Sequence, residues 1–402
     1  MCTFAFRCSA FCVIGAAALL AGCGGSQPPI SAPLNSSAAR LTKERAHTRH
    51  AYSVIYSFRG YPGDGADPGA GLTNVNDTLY GTTEYGCENY NGAIFAITTS
   101  GKETVLHCFA AKPDGAVPQA GLLNVSGTLY GTTNAGGAYG AGTVFAITPS
   151  GHETVLYSFY NDGFHPLAGL IKVKGTLYGT TEYGCRSGGG TVFAITTSGK
   201  KTVLHCFAAE PDGASPYAGL LDVNGTLYGT TWAGGASGYG TVFSITTSGK
   251  ETVLHSFGTN AGDGESPWAS LINVKGTLYG TAGGGGANGD GTVFAITTSG
   301  KETVLYSFKG RPDGAKPYAG LLNVNGTFYG TTNAGGAYCR KHRGCGTIFS
   351  ISPSGAETVL YSFHAADGES PDAALLNING TLYGTTSGGG ANQHGTVFAF
   401  KP

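Results

Sequence analysis

The motif G-T-L-Y-G-T-T at residues 127–133 decides the fold, because it recurs along the chain at a nearly constant spacing. The tyrosine of the motif stands at positions 80, 130, 178, 228, 279, 329 and 383, with about 50 residues between copies. A fixed period of this length is typical of propellers, solenoids and other repeat architectures. The repeats therefore predict one folded unit over residues 52–402, although 402 residues would ordinarily suggest two or three domains.

Each copy contains four runs of strand-like composition, which we name A to D. In the copy around Tyr329 these runs cover residues 318–324, 327–332, 347–351 and 358–363. The pairs Asn325-Gly326 and Ser354-Gly355 are two-residue hairpin turns between A and B and between C and D. Runs such as T-V-F-A-I at 143–147 are apolar on both faces, so each antiparallel sheet has to be covered on both sides.

The two ends of the chain distinguish a closed ring from an open array. The last copy stops after its strand C at residues 395–400, and the missing strand D stands at residues 52–58, ahead of the first strand A. An open array has no use for this split, whereas a ring closes by pairing the first strand with the last three. The predicted fold class is all-β: a seven-bladed β-propeller of four-stranded antiparallel blades, closed 3+1 by the N-terminal strand.

The first 23 residues indicate export. Arg7 precedes an apolar stretch at 11–20 that is too short to span a bilayer as a mature helix, and L-A-G-C at 20–23 resembles the lipobox of bacterial lipoproteins. We expect a lipoprotein signal peptide over 1–22, and a lipidated Cys23 with a flexible tether over 23–51. Gly24 is typical of lipoproteins sent to an outer membrane, so we expect a protein lipid-anchored in the bacterial cell envelope, at the outer membrane or cell surface. The alternative is an ordinary secretory signal whose cleavage site contains a cysteine.

The composition excludes several classes of function. Only 12% of the residues are charged, and 23 basic against 24 acidic side chains leave no electrostatic basis for binding nucleic acid. No G-x-S-x-G, H-E-x-x-H or Walker motif occurs in the sequence, and the glycine pairs after strand B precede another strand instead of a helix. We therefore predict no catalytic residues, no metal and no cofactor, and we expect a monomer.

Three motifs together carry a resemblance to a known family: G-T-L-Y-G-T-T, G-T-V-F-A-I-T-T-S-G and T-V-L-Y-S-F. Over nearly all of residues 52–402 the chain resembles the GloVer tandem-repeat family of exported bacterial proteins. The resemblance implies an extracytoplasmic repeat protein whose members use differing anchors, and it brings no agreed activity and no catalytic residues. The strand order and the glycines after strand B also resemble kelch propellers, whose aromatic signature in strand D is absent here.

Six cysteines remain beyond the signal peptide and the lipidation site: Cys87, Cys108, Cys185, Cys206, Cys339 and Cys345. Only the two copies with a cysteine seven residues after the motif tyrosine, in the B–C loop, also have one near the end of strand D, where other copies have Ser. These two places share one edge of a blade, so we predict the disulfides Cys87–Cys108 and Cys185–Cys206. Cys339 and Cys345 predict a third bridge, with a C-x2-H-x2-C metal site through His342 as the alternative.

The D–A connections each contain an Asp-Gly pair, which gives a ring of seven aspartates: Asp64, Asp114, Asp162, Asp212, Asp263, Asp313 and Asp367. We expect each aspartate to cap a turn and its glycine to supply a positive φ. Calcium binding is the alternative, but each loop offers one carboxylate where calcium needs several oxygens. His107, His205 and His255 stand in strand D where other copies have Tyr, which indicates a packing position.

The D–A and B–C connections share one face of the ring and vary between copies, as functional loops do. The candidate ligand residues on this face are Trp232, Trp268, Tyr85, Tyr183, Tyr217 and Tyr318, with Glu84, Glu182 and Asp372 among its acids. Aromatic rings beside acids and amides suit sugars, which have an apolar face and a rim of hydroxyls. The alternative is that the residues that follow Pro, namely Tyr217, Trp268 and Tyr318, simply wedge between blades.

These observations predict a membrane-anchored extracytoplasmic binding or scaffold module that contacts polysaccharide or an exported protein through the D–A and B–C face. A glycan-active hydrolase or lyase on the same face would need paired acids in one blade that breaks the repeat, and no such blade occurs in the sequence. A purely structural envelope protein is the third candidate.

Overall fold

The computed structural model describes residues 51–338 and 344–402, which form strands and turns and no helix. The strands build seven four-stranded antiparallel sheets, which are the blades of a β-propeller, so the predicted fold class is confirmed. We number the blades 1 to 7 by the motif tyrosines, from Tyr80 to Tyr383. The predicted signal peptide, Cys23 and all of the tether except Ala51 lie outside the described residues. No helix in the described part of the chain could cross a membrane.

The four strands of each blade follow one another in space in the order A, B, C, D. Strand A comprises Thr73–Val75, Leu123–Val125, Ile171–Val173, Leu221–Val223, Ile272–Val274, Leu322–Val324 and Leu376–Ile378. Strand B comprises Thr78–Thr83, Thr128–Thr133, Thr176–Thr181, Thr226–Thr231, Thr277–Ala282, Thr327–Thr332 and Thr381–Thr386. Strand C comprises Ala93–Thr98, Thr143–Ile147, Thr191–Ile195, Thr241–Thr246, Thr292–Thr297, Thr347–Ile351 and Thr396–Lys401. Strand D comprises Glu103–Cys108, Glu153–Ser158, Lys201–Cys206, Glu251–Ser256, Glu302–Ser307, Glu357–Ser362 and, for blade 7, Ala51–Ser57.

Short two-residue strands also pair the D–A connection with the B–C loop in four blades. The pairs are Gly65–Ala66 with Tyr85–Gly86, Gly115–Ala116 with Ala135–Gly136, Gly264–Glu265 with Gly284–Gly285, and Gly314–Ala315 with Ala334–Gly335. Single bridges take their place in the other three blades, between Phe164 and Tyr183, Ala214 and Ala233, and Glu369 and Gly388. These pairings join the two variable connections into one layer on a single face of the ring.

Blade 7 closes the ring as predicted. Its strand D, Ala51–Ser57, pairs antiparallel with strand C, Thr396–Lys401, so that Tyr52 lies opposite Phe400. A side-chain bond across the same closure joins Thr385 to the Ala70 carbonyl at 3.1 Å. The first and last segments of the propeller therefore hold each other in place.

Each residue of the repeated motif has a distinct structural task, which blade 4 illustrates. Leu227 is fully buried, and Tyr228 packs in the core between blades 4 and 5. The motif glycine, Gly229, lies opposite Phe243 of strand C, and a Cβ there would be 2.6 Å from the Phe243 ring. The motif thus requires glycine because the aromatic ring of the next strand occupies the side-chain space.

The first threonine of the Thr-Thr pair links each blade to the next. Its hydroxyl donates to a backbone carbonyl in the following D–A connection, at 2.9–3.4 Å, in every blade; the donors are Thr82, Thr132, Thr180, Thr230, Thr281, Thr331 and Thr385. The hydrophobic core has the same arrangement, since its clusters lie between neighbouring blades. Stability of the ring therefore depends on contacts between blades as much as on the sheets themselves.

Strand A is shorter than predicted. It covers Leu322–Val324 and not 318–324, because residues 318–321 run alongside the neighbouring blades instead of pairing with strand B. A Cβ on Gly320 would be 3.3 Å from the Ser270 carbonyl of blade 5, and the corresponding atom on Gly121 would be 2.9 Å from the Gly71 carbonyl. The backbones of adjacent blades thus contact each other around the axis and narrow the central channel.

Two of the three predicted disulfides are confirmed. Cys87–Cys108 and Cys185–Cys206 form, with Cα atoms 5.8 and 6.0 Å apart. Each bridge ties the B–C loop to the end of strand D in its own blade. Cys345 is buried, whereas Cys339 and His342, and with them the third predicted bridge and its metal-site alternative, lie outside the described residues.

Candidate functional site

Two positions in each blade differ between copies whose strands are nearly identical. The first follows the proline of the D–A connection and holds, from blade 1 to blade 7, Gly69, Gln119, Leu167, Tyr217, Trp268, Tyr318 and Asp372. The second follows strand B and holds Glu84, Asn134, Glu182, Trp232, Gly283, Asn333 and Ser387. Because strand A is the innermost strand, both positions surround the propeller axis.

These residues enclose a cavity, which we call the axial cavity, of about 430 Å³. Its lining consists of Gly69, Glu84, Gln119, Asn134, Leu167, Glu182, Tyr217, Trp268, Tyr318, Asn333 and Asp372. All eleven occupy one of the two variable positions. The volume falls in the range of pockets that take small molecules or parts of larger ones.

The two positions interlock from blade to blade. Gln119 Nε2 of blade 2 donates to Glu84 Oε1 of blade 1 at 2.5 Å, and the Tyr217 hydroxyl of blade 4 donates to Glu182 Oε1 of blade 3 at 2.8 Å. The residue after proline therefore contacts the residue after strand B in the preceding blade. This pairing holds the polar side chains of the cavity in fixed orientations.

One side of the axial cavity is an aromatic wall made by Tyr217, Trp268, Tyr318 and Trp232. The ring centroids of Tyr217 and Trp268 are 4.4 Å apart, those of Trp268 and Tyr318 5.4 Å, and those of Tyr217 and Trp232 5.7 Å. Gly283 makes room for this wall, since a Cβ there would be 2.5 Å from the Tyr318 ring. Both tryptophans remain 39% exposed, so a ligand could reach their faces.

The other side of the axial cavity is polar and acidic. Asp372 accepts hydrogen bonds from Asn333 Nδ2 at 2.7 Å and from the Ser387 hydroxyl at 3.1 Å. Burial nevertheless raises the pKa of Asp372 to about 6, and the charge of Glu84 adds to the rise. Burial also raises the pKa of Glu84. This wall therefore combines hydrogen-bonding groups with negative charge that the protein only partly stabilises.

Glu182 behaves differently from the other two acids of the axial cavity. Burial on its own would raise the pKa of Glu182, but the hydrogen bonds that it accepts, foremost from His165, hold the pKa below its usual range. His165 Nδ1 lies 3.5 Å from Glu182 Oε2. Glu182 thus carries a negative charge at neutral pH, directly beside the aromatic wall.

The predicted ligand residues fall into two groups. Tyr217, Trp268 and Tyr318 line the axial cavity, and Trp232 contacts Tyr217 at its edge. Tyr85 and Tyr183 lie on the same face but outside the lining, where they are 40% and 37% exposed.

Sequence reasoning did not single out the five residues that complete the lining, Gly69, Gln119, Asn134, Leu167 and Asn333. None of them has a chemically distinctive motif. The signal that could have found them is variation itself. The residues after proline stand between a proline and an alanine that every copy repeats, and the two asparagines directly follow the repeated strand B.

Six of the seven aspartates of the D–A connections accept a hydrogen bond from a backbone amide of their turn, as predicted, whereas Asp162 accepts from the side chains of Tyr157 and Lys201. The aspartates also have a further partner. Asp114, for example, accepts hydrogen bonds from the backbone amides of Ala110 and Gly115, and its carboxylate lies 2.9 Å from His107 Nε2. In blades with Tyr at the histidine position the phenol hydroxyl donates instead, as from Tyr306 to Asp313 at 2.8 Å. His and Tyr interchange because both place a hydrogen-bond donor at the end of an aromatic ring.

The glycine after each aspartate does not generally supply the positive φ that we expected; among the described residues it has a positive φ only at Gly163 and Gly368. Elsewhere a side chain would collide with strand B, and a Cβ on Gly213 would be 2.6 Å from the Thr231 hydroxyl. The positive φ belongs to the residue before the proline, such as Ser215 or Lys316. Space, and not backbone conformation, selects most of these glycines.

The first residue of strand D in the next blade completes each of these clusters, which we call outer junctions. In three of them the ligand atoms of His, Asp and Glu lie within 4.8 Å of one another, as a divalent metal would require: His107, Asp114 and Glu153; His205, Asp212 and Glu251; His255, Asp263 and Glu302. The junction of blades 2 and 3 has Lys201 in place of the glutamate, with Nζ 2.8 Å from Asp162. The cluster also forms without a complete set of metal ligands, since Lys201 replaces the glutamate in one junction and Tyr replaces the histidine in others.

Comparison with known proteins gives the fold and one family. The model of a family described as the Gloeobacter/Verrucomicrobia repeat matches residues 40–222 and 198–398. No curated protein matches the chain.

Solved structures with a similar fold have little sequence in common with this chain. An oligogalacturonate lyase from Vibrio parahaemolyticus is 9% identical with a TM-score of 0.53, over 89% of this chain and 94% of the lyase. A putative 6-phosphogluconolactonase from Bacteroides uniformis is 16% identical with a TM-score of 0.49, over 76% of this chain and 88% of that one. At such identities the likeness is one of fold alone.

Proposed function

We propose that this chain, which belongs to the Gloeobacter/Verrucomicrobia repeat family, is a lipid-anchored extracytoplasmic binding module that takes part of a carbohydrate into its axial cavity. The observation that carries the proposal is the pairing of an aromatic wall with a hydrogen-bonding wall across one cavity. The apolar face of a sugar ring packs against Trp268 and Tyr217, while its hydroxyls meet the amides and carboxylates opposite.

The near-identity of the blades supports binding over catalysis. Within the four strands the copies keep nearly the same residues, and the acids of the cavity are hydrogen-bonded to neighbouring amides and hydroxyls. These bonds orient the acids as acceptors for ligand hydroxyls. An acid and a base that act on one glycosidic bond would need a defined separation between their two carboxyl groups.

The experiment uses the full-length protein in detergent and its own fluorescence. The chain has two tryptophans, Trp232 and Trp268, and both belong to the aromatic wall. Titration with a panel of bacterial and plant oligosaccharides should change their emission for at least one member. Trp268→Ala should weaken that binding at least about tenfold, measured by calorimetry, as loss of a central aromatic contact does.

A matched control is Tyr160→Ala, which removes an exposed aromatic ring outside the axial cavity. This variant should bind as the wild type does. Absence of binding across the panel, or equal loss in both variants, would overturn a carbohydrate site in the cavity.

A glycan-active enzyme remains the second candidate because the pKa of Asp372 is raised to about 6, as a general acid requires. The similar fold of an oligogalacturonate lyase fits this candidate only at the level of architecture. Mass spectrometry of each bound oligosaccharide after prolonged incubation tests it. We expect intact ligand; cleavage that disappears in Asp372→Asn would favour the enzyme.

The anchor is part of the same proposal. The sequence L-A-G-C at 20–23 supports lipidation of Cys23 and attachment to a membrane of the cell envelope. In bacterial cells that express the full chain, Cys23→Ala should move the protein from the membrane fraction to the soluble fraction. A variant that stays with the membrane would exclude anchoring through Cys23.

A further inference from the structure

The charges of the axial cavity are unbalanced. Three carboxylates line it, Glu84, Glu182 and Asp372, and none of the lining residues is Lys or Arg. Their partners among the lining residues are neutral donors, the Gln119 and Asn333 amides and the Tyr217 hydroxyl. These groups orient the carboxylates but do not neutralise them.

The acids of the cavity also lie close enough to influence one another. The negative charge of Glu84 raises the pKa of Asp372 beyond the effect of burial. A cation brought into the cavity would reduce this repulsion, whereas an anion would increase it. Among the described residues, a basic side chain that contacts one of these acids is His165, which lies outside the lining and whose Nδ1 is 3.5 Å from Glu182 Oε2.

The aromatic wall favours the same kind of ligand. Tyr217, Trp268 and Tyr318 present neighbouring rings, and the face of an aromatic ring attracts a cation within about 6 Å of its centroid. Glu182 is hydrogen-bonded to Tyr217, so negative charge stands at the edge of this wall. An apolar ring that bears an ammonium group can therefore contact both at once.

An additional acceptor is available on the polar side. Asn134 lines the cavity, its Nδ2 donates to Gln119, and its Oδ1 is buried without a hydrogen-bond partner. A buried acceptor without a partner is costly, so a ligand that donates a hydrogen bond there would bind with a gain.

We infer that the sugar which occupies the axial cavity is an amino sugar with a free, protonated amine, held between the aromatic wall and the carboxylates. The inference rests on the proposed function and adds the ligand class to it. The ammonium group donates to Glu182 and the sugar ring stacks on Trp268, so that neutral N-acetylated sugars lose the charge interaction and uronic acids meet repulsion.

The test compares three oligosaccharides of equal length with the full-length protein in detergent near pH 6, by calorimetry and tryptophan fluorescence. The probes are a hexamer of glucosamine, a hexamer of N-acetylglucosamine and a hexamer of galacturonic acid. We expect the glucosamine hexamer to bind about tenfold more tightly than its N-acetylated counterpart, in line with a desolvated cation on an aromatic face. We expect the galacturonic acid hexamer not to bind.

Glu182→Gln keeps the shape of the site and removes one charge, so it should reduce the preference for the free amine, measured as the ratio of the two dissociation constants, to about twofold. Asp372→Asn provides a second neutralising variant in case the first folds poorly. Glu265→Gln is the matched control, because Glu265 lies in a D–A connection but outside the lining.

The outcomes separate the inference from the proposed function. Equal binding of the two hexosamine oligomers, or a preference that survives Glu182→Gln and Asp372→Asn, overturns the amino-sugar inference and leaves a carbohydrate site in place. Tight binding of the uronic acid oligomer also overturns it. Binding of none of the three probes and of no member of the wider panel overturns both.

Discussion

The substitution Glu357→Gln should stabilise the propeller at high pH and have no effect at low pH. Glu357 begins strand D of blade 6 and belongs to an outer junction with Asp313. Burial raises the pKa of Glu357 to about 7, and the charge of Asp313 adds to the rise. Its Oε1 is buried and has no hydrogen-bond partner. The folded protein therefore favours the neutral carboxyl group, which glutamine imitates.

The direction of the effect follows from where the proton is lost. Below pH 4.5 the glutamate is protonated in the folded and the unfolded chain alike, so its ionisation does not change the free energy of unfolding. Between pH 4.5 and about 7 the unfolded chain releases the proton while the folded chain keeps it, and the free energy of unfolding falls as the pH rises. Glutamine removes this loss.

The size of the effect follows from the pKa. A rise from 4.5 to about 7 corresponds to about 3 kcal/mol for a fully desolvated group. Because Glu357 is partly exposed, water and salt screen its charge, and we expect a gain of about 1.5 kcal/mol above pH 7.

Urea unfolding followed by tryptophan fluorescence, at pH 4 and at pH 8.5, measures this gain. Glu88→Gln, which changes an exposed glutamate of the B–C loop, should have no effect at either pH. Equal stability of Glu357→Gln and wild type at pH 8.5, or the same gain at both pH values, would refute the assignment of a neutral carboxyl group to the outer junction.

Three further substitutions test contacts within and between blades. Lys201→Met leaves Asp162 without its ammonium partner and should lower the free energy of unfolding by about 2 kcal/mol in urea titrations, because Lys201 is almost fully buried; unchanged stability would contradict this ion pair. Cys108→Ser should destabilise the oxidised protein by about 3 kcal/mol, measured by thermal melting. The variant has no bridge in blade 1, so reductant should no longer lower the stability of that blade. Thr385→Val should lower the free energy of unfolding, measured in urea, by about 1–2 kcal/mol, because the Ala70 carbonyl loses its hydrogen-bond donor across the ring closure. A smaller change would mean that the pairing of the first and last strands alone closes the ring.

The architecture could be predicted because the repeat contains redundant information. Seven copies of the same hairpin turns and strand motifs exclude other folds, and the misplaced strand D at residues 52–58 reveals the closure. The disulfide pairs could be predicted for a related reason, because Cys87 and Cys108 depart from the repeat in the same copy. The length of strand A could not, since residues 318–321 follow contacts with neighbouring blades, which local strand propensity does not encode.

The candidate site was only partly predictable. Trp268 and Tyr217 attract notice as rare aromatic residues at an equivalent position, and both line the axial cavity. The contact between Gln119 and Glu84 is different, because it joins the residue after proline in one blade to the residue after strand B in the preceding one. The repeated sequence shows which positions vary. It does not show that a variable residue of one blade contacts a variable residue of the preceding blade.

In each repeat, the residues that stabilise the blade are separate from those that line the axis. The ligand specificity of the propeller can therefore change, in evolution or by engineering, while its fold is kept. The glycine and the first threonine of the motif, exemplified by Gly229 and Thr230, secure the blade and its neighbour without using either variable position. Two variable positions in each of seven blades leave fourteen side chains around the axis that can be exchanged while these contacts persist. Propellers with this repeat could therefore acquire new ligands through point mutations at the axis that leave the stabilising contacts between strands and blades in place.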